Sequence, residues 1–188
     1  LEFRLRALIL TIGGDTEDTV LNALDEAERV HFIERVHNTS GVYVFTHALV
    51  RQTLLNELSL SKSVRLHAQI TEALEGLYGE NIAAHAEELA EHAQQAETVL
   101  GPERLVRYSL LAGEQALDRH ADEDALLHYE RGLAAFEDSP LDAQKAALLY
   151  GMGTAQMNML MYVEARESYR RAMDHYEKTG DVEHVTSI

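Results

Sequence analysis

The sequence predicts a mainly α-helical protein: a small helical unit with one short β-hairpin, followed by antiparallel α-hairpins that stack side by side. Three observations carry that reading. Gly113, Ala125, Tyr129 and Arg131 recur 40 positions later as Gly153, Ala165, Tyr169 and Arg171, and the similar pairs Leu117/Met157, Gly132/Ala172, Leu133/Met173 and Phe136/Tyr176 keep the same register. The chain holds 2 prolines, and its long stretches free of Gly and Pro favour helix. One stretch changes period: the turn cluster Asn38–Thr39–Ser40–Gly41 leads into the β-rich run Val42–Tyr43–Val44–Phe45.

Composition narrows the function classes. The 188 residues suffice for one large or two small domains. Hydrophobic content of 46% with 26% charged residues is that of a globular chain. Cysteine is absent, which removes disulfides and thiolate chemistry and makes a reducing cytoplasm the expected compartment. The formal net charge is −16, and no segment is basic. Nucleic-acid binding needs clustered Lys and Arg to displace counterions, and an anionic membrane asks for the same, so both partners are disfavoured. No apolar run is long enough to span a bilayer. The chain begins at Leu1 without a methionine or charged leader and ends at Ile188 where a further helix is due, so we read it as a segment of a longer protein.

The elements follow in order. Residues 1–12 are apolar, with Phe3, Leu5, Leu8, Ile9 and Ile12 as core candidates, and are expected as a helix ended by Gly13–Gly14. Asp15 can cap the next helix, whose apolar face is Val20, Leu21, Leu24 and Ala27 and whose first turn holds Glu17 and Asp18 near the positive dipole end. Phe32, Ile33 and Val36 pair across the turn with residues 42–45. Helix, helix, hairpin is the outline of a winged helix, here degenerate. From Thr46 the helical period resumes through Leu49, Val50, Leu54 and Leu58. Ser61 or Ser63 is the expected cap of a helix carrying Val64, His67, Ile70, Leu74 and Leu77, ended by Tyr78–Gly79. Ile82, Ala86, Leu89, Ala93 and Ala96 give another amphipathic face. Gly101–Pro102 is a stop followed by a start. Helices are expected over 103–118, 122–136, 140–157, 161–178 and from 181, with Ser139–Pro140 and Gly180–Asp181 as boundaries. The domains are therefore 1–58, a winged-helix-like element; 59–100, a helical linker hairpin; and 101–188, repeats at 103–137 and 140–178 with a third starting at 181.

A small residue, another twelve later and an aromatic four beyond it resemble the tetratricopeptide pattern, whose usual length of about 34 residues is extended here by about six around Asp138–Asp142. Each repeat is a helical hairpin that buries its apolar face only by stacking on a neighbour. Gly113 and Gly153 permit close helix approach, Ala125 and Ala165 serve the contact from the second helix, and Tyr129 and Tyr169 fill the space beneath. These residues define packing, not chemistry. The chain departs from the pattern at Ser109 and Leu149 (usually Trp), Ala116 and Gln156 (usually Tyr), and Glu137 and Glu177 (usually Pro). By register Arg107, Leu110, Glu114, Tyr150, Thr154, Met157 and Asn158 are expected to face a partner-binding groove. Met152, Met157, Met159 and Met161 either fill irregular core or offer an adaptable apolar surface.

A broader resemblance rests on residues 43–54 (Tyr43 through Leu54, containing Phe45–Thr46–His47–Ala48–Leu49–Val50–Arg51), residues 64–75 with Leu66–His67, Glu88–Leu89–Ala90–Glu91–His92–Ala93, and residues 108–117. Together these resemble the region that follows the ATPase domain in bacterial STAND-type signalling ATPases, which are often fused to nucleotide-cyclase, kinase or DNA-binding domains. The resemblance implies a regulatory arm: a winged helix that packs on an ATPase, a helical linker, and repeats that sense a ligand or partner and control oligomerisation. Partners are then a protein or peptide, neighbouring domains of the same chain, or a second copy. The family's catalytic parts do not carry over, because no Gly-x-x-x-x-Gly-Lys-Ser/Thr phosphate loop occurs. No cofactor, metal or catalytic residue is expected, and the segment is not expected to be an enzyme by itself.

Rival chemistry finds little anchor. His120, Asp124 and His128, and His85, Glu88 and His92, have helical spacing but no His-Glu-x-x-His pattern and no cysteine, and read as solvated faces. His47 and His67 read as structural. Gly-x-Ser-x-Gly is absent. The alternative function is DNA binding by the winged-helix segment through Arg29, Arg35 and Arg51, which sets the acidic helix Glu17–Glu28 beside phosphate.

Overall fold

In the computed structural model, which describes residues 2–12, 17–37, 39–136 and 142–179, three short strands organise the first of two units, Leu1–Gly79. Strand β1 (Glu2–Arg4) leads into helix α1 (Leu5–Ile12), α2 (Glu17–Arg29), β2 (Ile33–Arg35), β3 (Val42–Phe45), α3 (Ala48–Asn56) and α4 (Leu60–Tyr78). The sheet is antiparallel in the order β1–β3–β2, with Phe3 opposite Tyr43 and Ile33 opposite Phe45. Alternation puts Phe3, Ile33, Tyr43 and Phe45 on one face. There they join Val20 and Leu24 of α2 and Leu5, Leu8 and Ile9 of α1 in one cluster. The Phe3 and Tyr43 rings stack at 5.7 Å.

Three sequence expectations are corrected in this unit. Residues 2–4 form a strand rather than the start of a helix: paired with β3, Phe3 sets its ring 5.7 Å from those of both Tyr43 and Phe45. The cap of α4 is Ser59, whose Oγ accepts from the Lys62 amide at 3.4 Å, rather than Ser61 or Ser63. The stripe expected on α3 is not a core face: Leu49 is 77% exposed and Leu54 48%. On α4 the most buried residues are Ala68, Thr71, Ala73, Leu74 and Tyr78, so of the expected stripe only Leu74 is fully buried while Val64, His67, Ile70 and Leu77 are partly covered. Within the unit, α4 packs on α1.

The second unit, Glu80–Ile188, is helical throughout its described part. Two 3-10 turns (Gly79–Asn81, which spans the boundary, and Ala83–His85) precede α5 (Ala86–Gln95), and α6 (Glu97–Leu100), α7 (Pro102–Asp118), α8 (Asp122–Ala134), α9 (Ala143–Asn158) and α10 (Tyr162–Thr179) follow. Each of α7 to α10 packs on the next, α5 packs on α7, and α7 also touches α9. Ala86, Leu89, Ala93 and Ala96 are buried as expected. The stretch expected as one linker, 59–100, is thus divided at Gly79, with α4 in the first unit and α5 and α6 in the second. Pro102 starts α7, and Gly101 (φ 78°) supplies the backbone reversal before it. Helix α9 is capped by Asp142, whose Oδ1 accepts from the Lys145 amide at 2.8 Å. Asp15, Ser139–Pro140, Gly180–Asp181 and the helix expected from 181 lie outside the described residues.

The 40-residue recurrence is realised in backbone geometry. After α7, His120 (φ 57°) donates to the Leu117 carbonyl at 2.9 Å and Ala121 to Ala116 at 2.8 Å. After α9, Leu160 (φ 62°) donates to Met157 at 3.0 Å and Met161 to Gln156 at 2.8 Å. Both are Schellman turns with a left-handed residue at the same position. In both the next helix opens with the same bond, Ala125 to Ala121 and Ala165 to Met161, each 2.9 Å.

Candidate functional site

The residues expected to face a groove lie on α7 and α9, the first helix of each hairpin. What spaces these two helices is Tyr129 of α8, 1% exposed. A methyl group placed on Gly113 of α7 would stand 2.5 Å from Cε1 and Cζ of its ring, and one on Gly151 of α9 would strike the same ring and lie 2.7 Å from its hydroxyl. The ring therefore fills a slot cut by two glycines from opposite sides. In the second hairpin Tyr169 sits against Gly153, where an added methyl would lie 2.8 Å from Cδ1. Ala125 and Ala165 are both fully buried. The expected glycine-to-alanine contact is thus refined: the tyrosine ring, not the alanine, occupies the glycine notch.

On α7, Arg107 is exposed with its guanidinium carbon 5.6 Å from the centroid of the Tyr108 ring, and Leu110 packs against the core. Glu114 and Asp118 are exposed one helical turn apart. Lost hydration, then the like charge of Asp118, push the Glu114 carboxyl above its usual range. Burial, then the charges of Glu114 and Asp118, push the Tyr129 phenol well above its ordinary value.

On α9 the equivalent positions are neutral. Thr154 Oγ1 accepts from the Tyr169 hydroxyl at 3.2 Å and donates to the Tyr150 carbonyl at 3.2 Å. The Tyr150 and Tyr169 rings lie 5.6 Å apart. Asn158 Nδ2 donates to Asp122 Oδ1 at 2.7 Å, which spends the amide on tying α9 to the start of α8. Met157 is 40% exposed, whereas Met152 packs into the core.

Sequence reasoning missed two residues of this face. Asp118 stands 40 residues before Asn158, so the repeat register could have found it. Gly151 had no such signal, because Leu111 occupies its place in the first hairpin. Two buried polar atoms were also unforeseen: Ser109 Oγ and His128 Nδ1 have no hydrogen-bond partner. Among the described residues no group of three or more His, Asp and Glu gathers as a metal site. Of the two sets with helical spacing, His120 is exposed at a turn while His128 is buried on α8, so that set does not share a surface.

His128 gives a pH prediction. Burial, then Arg131 and, more weakly, Arg119, hold its imidazole below the ordinary value, against the opposite pull of Glu87 and Asp124. The unfolded chain takes up a proton at this residue at higher pH than the folded chain does. Stability contributed here is therefore present at neutral pH and lost as pH falls through about 6.5. Thermal melts between about pH 8 and about pH 5.5 should show the protein losing stability relative to His128→Gln as pH falls; parallel curves would contradict it.

Compared with known protein families, curated proteins and solved structures, the chain matches none at a significant level. Among the described residues no helix is long and apolar enough to cross a membrane.

Proposed function

We propose that this chain is a non-catalytic regulatory segment of a larger signalling ATPase of the STAND type, in which tetratricopeptide-like hairpins present the α7/α9 face to a protein partner. The observation that carries the reading is the repetition, at one 40-residue spacing, of the same left-handed turn and the same glycine–tyrosine contact. A hairpin that recurs in backbone, bonds and packing is a stacking unit, and stacked units offer an extended surface rather than a reaction centre. The first unit supports the rest of the reading. Its order strand, helix, helix, strand, strand, with the first strand paired to the last, supports reading it as a winged helix reduced to two helices.

DNA binding by that unit finds less support. Arg35 bonds Asp25 and Glu28 of α2 at 2.9 and 3.0 Å, and Arg29 pairs with Glu26 at 3.7 Å. Exposed pairs of this kind add little stability, yet they cancel the charge that would meet phosphate. Two measurements test the reading. The coding sequence upstream of Leu1 should contain a Gly-x-x-x-x-Gly-Lys-Ser/Thr loop; a different domain there would remove the ATPase context. A mobility-shift titration with duplex DNA should show no salt-sensitive complex, and a tight one that weakens steeply with salt would favour the rival.

A further inference from the structure

The two hairpins turn on the same backbone with different chemistry. The α7/α8 turn holds Asp118, Arg119, His120, Asp122 and Glu123; 40 residues later the α9/α10 turn reads Met157–Asn158–Met159–Leu160–Met161–Tyr162–Val163, without a charge. Both turns make the same hydrogen bonds around a left-handed residue, so the fold does not ask for apolar side chains there. Yet Leu160 is 67% exposed, Tyr162 58% and Val163 80%, and Met157, whose carbonyl accepts from the Leu160 amide, is exposed too. Leu160 breaks two local preferences at once. Its side chain meets water, and its backbone is left-handed at φ 62°, where a Cβ costs free energy and Gly or Asn is favoured. A residue that neither packs the fold nor suits its turn is explained by what it touches outside the chain.

Charge indicates the partner. From Ala143 to Thr179 the chain holds five basic and four acidic residues, a net +1, so the rest of a chain of −16 carries −17. Exposed residues of both signs flank the neutral turn: Glu164 and Arg166 on α10, and Glu123 and Arg119 on the neighbouring turn, whose Asp122 is tied to Asn158 at 2.7 Å. A rim of mixed sign is poorly matched to an anionic bilayer. It matches its own image across a two-fold axis, where each acid can meet a base.

We propose that the α9/α10 turn is a self-association surface, on which Leu160, Tyr162, Val163 and Met157 pack against the same residues of a second copy of this chain. The proposal goes beyond the reading of the α7/α9 face as a partner surface and does not rest on it. Four partly exposed side chains make a patch of a few hundred Å² on each copy, short of the roughly 800 Å² per partner of a standard interface. The pair is therefore weak and reversible, with a dissociation constant of about 10–100 μM. The repeat shows why only one turn associates: the first presents charges where the second presents apolar side chains.

Sedimentation equilibrium of the whole chain from about 5 to about 500 μM should show the mass rising from one copy to two and stopping there. Leu160→His, which installs the residue of the first turn, combined with Val163→Gln should weaken pairing about tenfold or more. Leu49→Gln with Leu60→Gln removes two comparably exposed leucines from the first unit and should change it about twofold or less. Leu160→Asn, melted where the chain is single, should raise the melting temperature while weakening pairing. A single copy at every concentration would overturn the proposal. Equal losses in the two double variants would mean unspecific adhesion of exposed leucine and overturn it too. Mass growing past two copies would exclude the closed two-fold contact. Phosphatidylcholine–phosphatidylglycerol vesicles that co-sediment the wild type but not the Leu160→His, Val163→Gln variant would assign the turn to a membrane instead. A lower melting temperature for Leu160→Asn would return the leucine to the fold and remove it from the contact.

Discussion

Tyr129→Ala is expected to lower the unfolding free energy of the second unit by about 3–5 kcal/mol, the cost of deleting a large buried aromatic from a site that does not collapse. The site is kept open by backbone. Gly113 and Gly151 line the slot with helix main chain, and main chain cannot move in without displacing α7 or α9. Leu148, Ala155 and Val106 of the same cluster would each lose a neighbour. Urea unfolding followed by circular dichroism measures the change. A loss under about 1 kcal/mol would mean that the helices are not held by this ring.

Gly113→Ala and Gly76→Ala are expected to shift stability in opposite directions, although both replace a glycine inside a helix. Alanine is the better helix former by about 1 kcal/mol. At Gly76 on α4 an added methyl meets nothing within 4 Å, so that gain stands alone and the variant is stabilised by about 0.5–1 kcal/mol. At Gly113 the methyl lands 2.5 Å from a ring that Gly151 blocks from retreating. Overpacking of this kind costs about 1–3 kcal/mol, which outweighs the propensity gain. Melting temperatures of the two variants decide it, and a stabilised Gly113→Ala would remove the slot from the account.

Much of the second unit was legible in the sequence because its signals are local and duplicated. Helix starts at Pro102, stops before left-handed residues, and apolar positions at helical spacing each leave a mark, and the recurrence at 40 residues checks one copy against the other. What escaped has physical causes. Strand β1 is three residues long and owes its form to Phe3 meeting Tyr43, a contact far along the chain. The face of α3 looked amphipathic, but whether a stripe is covered depends on what packs there, and Leu49 is exposed. Three serines near the start of α4, Ser59, Ser61 and Ser63, could all cap, and the choice of Ser59 follows from its extended backbone, ψ 150°. On the α7/α9 face, register placed Glu114 and Thr154 as equivalents. It could not tell that the threonine is satisfied by a tyrosine hydroxyl while the glutamate is left beside another acid.

A double-mutant cycle in both hairpins tests the repeat account most directly. Gly113→Ala should destabilise the protein but become neutral or stabilising once Tyr129→Leu has emptied the slot, and Gly153→Ala with Tyr169→Leu should show coupling of the same sign. Effects that add within about 0.5 kcal/mol at both pairs would contradict the claim that one glycine–tyrosine wedge, used twice, holds these hairpins together.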